Sequence, residues 1–214
     1  LRHSPSVEIF ARFVDQTFGR LDILVNNAAQ TVRRPPAFYA HLLEIEAKPL
    51  AQLPPQAQAL LCQREALKGA LAGAPAHAKP ELADATGLTA WHAGGSGIGL
   101  RESAQLSQLK YSYDDAERGL DIFPEGKTDA DLQQVDLRTQ NSWRLTLSEV
   151  STPEMLELQL INSVAPFILC SKLKPLMLQG KTGEKHIVNV SAMEGSFSRH
   201  TKTDKHPHTN MAKA

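Results

Sequence analysis

Lys185-His186-Ile187-Val188-Asn189-Val190 is the stretch that most limits what this chain can fold into. A short apolar run rich in β-branched residues suits a buried strand of a parallel sheet. It gives way at once to Ser191-Ala192-Met193-Glu194-Gly195, then to a polar loop rich in Lys and His, and then to a helix start at Thr209-Asn210-Met211-Ala212-Lys213. In open α/β sheets ligands bind outside the carboxyl ends of the strands. A serine at such an end, with a lysine on a nearby helix, therefore marks a chemical rim.

The first thirty residues repeat this logic. Ser4-Pro5 reads as a helix start, with Ser4 as the N-cap. Val7, Phe10, Phe13, Val14 and Phe18 form an apolar stripe at helical spacing, and Gly19 is placed to end the helix. Leu21-Asp22-Ile23-Leu24-Val25 predicts a strand buried on both faces. It ends at Asn26-Asn27-Ala28-Ala29, a second rim of small and polar residues.

Residues 33–135 have another texture. Ala37 to Glu46 and Gln56 to Ala72 predict helices, whereas Gly73 to Gly99 is Ala, Gly, Pro and His without periodicity. This reads as an insertion, part helical and part irregular, and loops of that length are functional or poorly ordered. Gly94-Gly95-Ser96-Gly97-Ile98-Gly99 inside it resembles a phosphate-binding loop. It lacks a convincing preceding strand and is one residue short of the usual spacing, so a loop without phosphate is the plainer reading.

Order returns at Ser151-Thr152-Pro153-Glu154, a capping box with Pro153 in the first turn. The helix that follows is apolar nearly all round and predicted to be largely buried. Pro166 lacks an N–H, so the Asn162 carbonyl loses its helical partner. That carbonyl must find another, a water or a catalytic group; alternatively the proline is a simple kink that lets the helix wrap a sheet.

A formal net charge of zero predicts no nucleic-acid footprint. No run of about 18 apolar residues occurs, so no membrane span is predicted. Cys62 and Cys170 are far apart, which fits a reducing, cytoplasmic setting, with Cys170 a core residue. His200, His206, His208 and Asp204 share one loop, but histidines alone are not a ligand set, and no metal is predicted. The chain opens at Leu1 without a signal peptide and stops just after Lys213, inside a helical turn. It reads as an internal portion of a longer protein.

Taken in order, these pieces resemble the short-chain dehydrogenase/reductase family. Leu21 to Ala29 is similar to that family's fourth strand and its Asn-Asn-Ala-Gly signature, with Ala29 at the glycine. Asn162 sits at the family's helix asparagine, where a kink offers a backbone carbonyl to water. Ile187 to Ser191 is similar to the fifth strand and its serine, and Lys213 to the lysine of Tyr-x-x-x-Lys. The resemblance covers residues 4–29 and 151–214. It implies an α/β fold, a partial doubly wound Rossmann-type parallel sheet made of residues 1–32 and 136–214, interrupted by the insertion at 33–135. It implies NAD or NADP as cofactor, with Asn27, Ala28, Ala29 and Lys213 against it. Hydride would pass between nicotinamide and a small-molecule carbonyl or alcohol, with Asn162, Ser191 and Lys213 as the site. The protein would be free of nucleic acid and membrane, and a homo-oligomer is one possibility.

The sequence also departs from that pattern. The tyrosine position is Thr209, whose hydroxyl is far too weak an acid to replace a phenol. His206 or His208 is the neighbouring residue type suited to acid–base work, with His208 the candidate. The second serine of the family's strand end is Ala192, which leaves the role to Ser191 unless Ser191 only bonds the turn. No Gly-rich turn of the family's pyrophosphate type is found at the expected place. Tyr111 and Tyr113 are not followed by lysine at the required spacing. The rival expectations are therefore a nucleotide-binding or interaction module without catalysis, or a truncated relic.

Overall fold

The computed structural model describes residues 1–73, 97–101, 103, 106, 121–180 and 183–214. It is mostly helical. Helix α1 runs Ser4–Thr17, strand β1 Ile23–Asn26, helix α2 Pro36–Glu46, helix α3 Pro55–Gly73 and the short helix α4 Ile98–Arg101. Helix α5, Thr152–Gln159, continues through a π-helical segment, Leu160–Val164, into α6, Ala165–Gln179. Strand β2, His186–Asn189, and helix α7, Pro207–Lys213, complete the described elements.

The expected doubly wound Rossmann-type sheet is not what forms. Among the described residues there are two strands in one parallel ladder, Ile23 opposite His186 and Asn26 opposite Asn189. The pairing extends past both ends, from the His186 amide to the Asp22 carbonyl at 2.9 Å and from the Val190 amide to the Asn26 carbonyl at 3.0 Å. The Lys185 ammonium closes the entrance on Asp22. The parallel pairing agrees with the composition of the two runs, but the predicted burial does not. β2 is exposed along its whole length, and Ile23 and Val25 of β1 are more than half exposed. β-branched composition makes a strand suited to burial, but burial itself needs neighbours on both faces.

The core lies between helices instead. Val7 of α1 meets Ala165 and Ile168 of α6, with Val164 and Leu169 beside them. α1 is capped by the His3 side chain, which accepts from the Ser6 amide, so Ser4 is inside the helix rather than at its cap. Its buried positions are Ser6, Val7, Ile9 and Ala11, and Phe10 and Phe18 of the predicted stripe are about 40% exposed. Phe18, in extended backbone, ends the helix in place of Gly19.

The long apolar helix is not largely buried either; Leu156, Phe167 and Leu178 face outward. Taken from Thr152 to Gln179 it spans 28 residues with a mean hydropathy of 1.2, long and apolar enough to cross a membrane by length and composition alone. Polar residues interrupt the apolar ones along it, so no contiguous apolar run marks it in the sequence. Pro166 does not produce a plain kink. The Ala165 amide bonds the Leu160 carbonyl, one residue further back than in an α-helix. The extra residue puts Pro166 in the first turn of α6, where its missing N–H costs least.

Two side-chain bonds tie the ends of the 33–135 stretch together. The Arg33 amide donates to Ser142 Oγ at 2.8 Å, and the Arg34 guanidinium meets Asp136 at 2.8 Å. Arg34 also lies over the Phe38 ring, which meets Phe123 edge-on at 5.7 Å, a small second core under this region.

Candidate functional site

The ladder and the π segment together shape one cavity of about 280 Å³. Asn27, Ala28 and Ala29 line it from the end of β1, Asn162 from the π segment, Ser191 from the end of β2 and Lys213 from α7. Each gets there for a local reason. The parallel register ends both strands level, so Asn26 and Asn189 sit opposite and their side chains bond at 2.7 Å. The π turn rotates Asn162 so that its Nδ2 donates to the Gln30 carbonyl at 2.7 Å. That contact leaves Asn162 Oδ1 buried without a hydrogen-bond partner, an unmet acceptor beside the cavity.

Ser191 and Lys213 are joined through the backbone. Ser191 Oγ donates to the Lys213 carbonyl at 2.8 Å. A hydroxyl has one proton, so in this arrangement Ser191 is committed to the end of α7 and offers the cavity only lone pairs. Gly195 makes the approach possible. A Cβ on Gly195 would sit 2.5 Å from the Lys213 carbonyl oxygen, closer than any side chain tolerates. Burial holds the Lys213 ammonium below its ordinary pKa of 10.5, with Glu194 pulling the other way.

The acid–base candidates around the tyrosine position are not in this cavity. Thr209 is fully buried, and its hydroxyl donates to the Thr31 carbonyl at 3.3 Å. His208 is buried too and directs Nε2 at Glu154 Oε1, 3.3 Å away. This pair also explains the capping box. Ser151 Oγ accepts from the Glu154 amide as expected, but the Glu154 carboxylate turns to His208 rather than back to Ser151. Burial pushes that carboxyl up; hydrogen bonds from His208 and Ser142 and the nearby Arg33 charge more than offset it and hold it below its ordinary value. His206 stacks on Trp143, ring centres 4.0 Å apart, and lines a different cavity. Burial holds its imidazole below the usual value. Among the described residues no group of three or more His, Cys, Asp or Glu could hold a metal.

Of the glycine string, Gly94, Gly95 and Ser96 lie outside the described residues, as do Tyr111 and Tyr113. Gly97 and Gly99 back onto protein. A Cβ on Gly97 would meet the Leu71 side chain, and one on Gly99 the Ser6 hydroxyl. These glycines let α4 approach α3 and α1. Cys170 is half-buried, in reach of Asn26 Nδ2 at 3.5 Å.

A second cavity, about 330 Å³, shares Leu1, Ile161 and Leu169 with the first and was not singled out from the sequence. Arg33, Arg34, Tyr39 and Glu157 line it. Burial raises the Tyr39 phenol above its usual value. The adjacent Arg33-Arg34 pair, just past a strand end, was the available signal.

No family model and no solved structure matches the chain. The chain is similar to "Uncharacterized protein R665" of Acanthamoeba polyphaga mimivirus, 34% identical over 80 residues, which is 37% of this chain and 16% of that protein. The matched stretch is a small part of the viral protein.

Proposed function

We propose that the cavity between Asn162, Ser191 and Lys213 is the reacting end of an NAD(P)-dependent oxidoreductase site, working on a carbonyl or alcohol. The observation that supports it is convergence. Four segments far apart in the chain contribute to one cavity the polar residues that the resemblance to short-chain dehydrogenases/reductases implies. At about 280 Å³ the cavity lies near the lower end of the usual range of roughly 300–1,000 Å³ for small-molecule pockets, enough for one end of a dinucleotide.

The residues present suit a nicotinamide and its ribose. Asn162 Oδ1 would accept from a hydroxyl or carboxamide, and Lys213 would donate to ribose hydroxyls. Bound there, the nicotinamide would carry the hydride. Among the described residues no glycine-rich cradle for the phosphates accompanies them. Lys213 is the cavity's own proton carrier. Partly desolvated, it releases a proton more readily than a surface lysine, and its charge favours a developing alkoxide. Ser191 would turn its hydroxyl from the Lys213 carbonyl to the substrate oxygen.

Titration of the full chain with NADH and NADPH, followed by nicotinamide fluorescence, tests the reading. Saturable binding is expected, weakened about tenfold or more by Lys213→Met, the loss of a charge-assisted hydrogen bond. No binding by either nucleotide overturns it.

A second reading is binding without turnover. It is favoured by the burial of Thr209 and His208 away from the cavity. Saturable nucleotide binding with no oxidation of NADPH across a panel of aldehydes and ketones selects it.

A further inference from the structure

The other cavity on α7's flank carries a charge pattern of its own. It encloses about 350 Å³ and shares no lining residue with the Ser191–Lys213 site. Arg144, Arg199, Lys202 and Lys205 line it. Glu194 answers Arg199 at 2.8 Å. Glu149 is near enough to Lys205 to feel its charge, though no ion pair forms between them. Lys202 is in reach of the Phe197 ring, and Arg144 donates to the Thr139 carbonyl at 3.3 Å. Four cations therefore line the concavity with one carboxylate, Glu194, and Glu149 lies close to Lys205, so the concavity is net positive.

The neutral groups there point the same way. Thr201 Oγ1 accepts from Arg199, and Thr203 Oγ1 accepts from the Lys205 amide. Each hydroxyl keeps its own proton to donate. The lining is thus rich in donors, as acceptor-only oxygens require. His206 adds two features. Its backbone is held in the left-handed region at φ 41°, rare for a residue with a side chain, and its Nδ1 is buried without a hydrogen-bond partner. Stacking on Trp143 fixes the ring in that posture at the cavity wall.

We infer that the cavity bounded by Arg144, Arg199, Lys202, Lys205 and His206 binds a doubly charged phosphate group. The net positive lining suits a dianion, and guanidinium forks with ammoniums and hydroxyls match its three or more acceptor oxygens. The loop from Ser196 to Lys205, which carries most of these residues, thereby gains a task separate from the chemistry at Lys213.

Isothermal titration of the full chain with inorganic pyrophosphate at low ionic strength tests this. A parallel arm measures co-sedimentation with phosphatidylcholine vesicles containing a phosphatidylinositol phosphate. Saturable pyrophosphate binding supports the inference with a soluble phosphate as the source. Vesicle binding without pyrophosphate binding supports it with a lipid headgroup as the source. In either arm the double substitution Lys202→Ala, Lys205→Ala should weaken binding at least about tenfold, and Arg144→Ala should weaken it independently. Among the described residues Lys202 meets the Phe197 ring and Lys205 lies near Glu149 without an ion pair, so the ligand-free thermal midpoint should change little. Binding in neither arm, or equal affinity in all variants, overturns the inference. So does binding that Lys213→Met removes and these substitutions leave intact.

Discussion

His208 Nε2 lies 3.3 Å from Glu154 Oε1, and both side chains are buried. One contact therefore clamps α7, which carries Lys213, to the start of α5, which leads into the π segment that carries Asn162. The Glu154 carboxyl is held below its ordinary 4.5, so its contribution to stability is present above that pH and is lost as pH falls through the folded value. The thermal midpoint should drop on acidification below about pH 4.5, and Glu154→Gln should remove that part of the drop. At neutral pH Glu154→Ala should cost on the order of 3 kcal/mol, the usual result of breaking a buried pair from one side. Chemical denaturation at two pH values measures both.

Gly195→Ala should act on the site without replacing any of the cavity's polar side chains. The added methyl meets the Lys213 carbonyl, which is backbone and cannot step aside alone. The end of α7 should shift, the Ser191 hydroxyl should lose its acceptor, and stability should fall by about 1–3 kcal/mol. Thermal unfolding and nucleotide titration of the variant read the two effects separately.

Thr209→Tyr is expected to fail as a restoration of a phenol. The side chain at 209 is fully enclosed and bonded to Thr31, so a ring there overpacks the junction of α7 with the loop after β1. A fall in melting temperature with no gain in carbonyl reduction is the expected outcome. Thr209→Val keeps the volume and should lose about 1 kcal/mol for the hydrogen bond.

Lys213 should stand apart from the other lysines in its reactivity. Burial favours its neutral amine. Competitive acetylation followed by peptide mass spectrometry across a pH series should show its labelling rise at lower pH than that of a free lysine side-chain analogue added as internal standard. Coincident profiles would sink the proton-carrier role given to Lys213.

Much of the local structure was legible. Ser151 and Glu154 mark the start of α5, Pro36 and Pro55 open helices close to the predicted spans, and the two β-branched runs do pair in parallel. Asn162, Ser191 and Lys213, named together on a resemblance, line one cavity, and neither composition nor periodicity foretells that. Burial was not legible. Ile187 and Val188 have the composition of core residues, but burial is set by what lies alongside, and no run of residues states that about itself. Orientation within α7 was not legible either. Adjacent residues on a helix point about 100° apart, and the turn phase is fixed by Pro207 and the left-handed His206. His208 and Thr209 consequently face the protein interior and Lys213 faces the cavity. The π segment escaped because the sequence announces a missing donor at Pro166, not which of several helical repairs is adopted.

The ladder of β1 and β2 has a kinetic consequence. Among the described residues each strand pairs on one side, which leaves the backbone of the other side unpaired by a strand, and apolar side chains such as Ile23, Val25 and Val188 are exposed on the faces of the ladder. An exposed strand of this kind accepts a further strand from any chain that collides with it. Two copies can satisfy each other, and the joined pair still offers two sides for growth. Loss of monomer should therefore accelerate with protein concentration, and the shelf life of a sample will be set by how fast molecules meet rather than by how tightly each one folds.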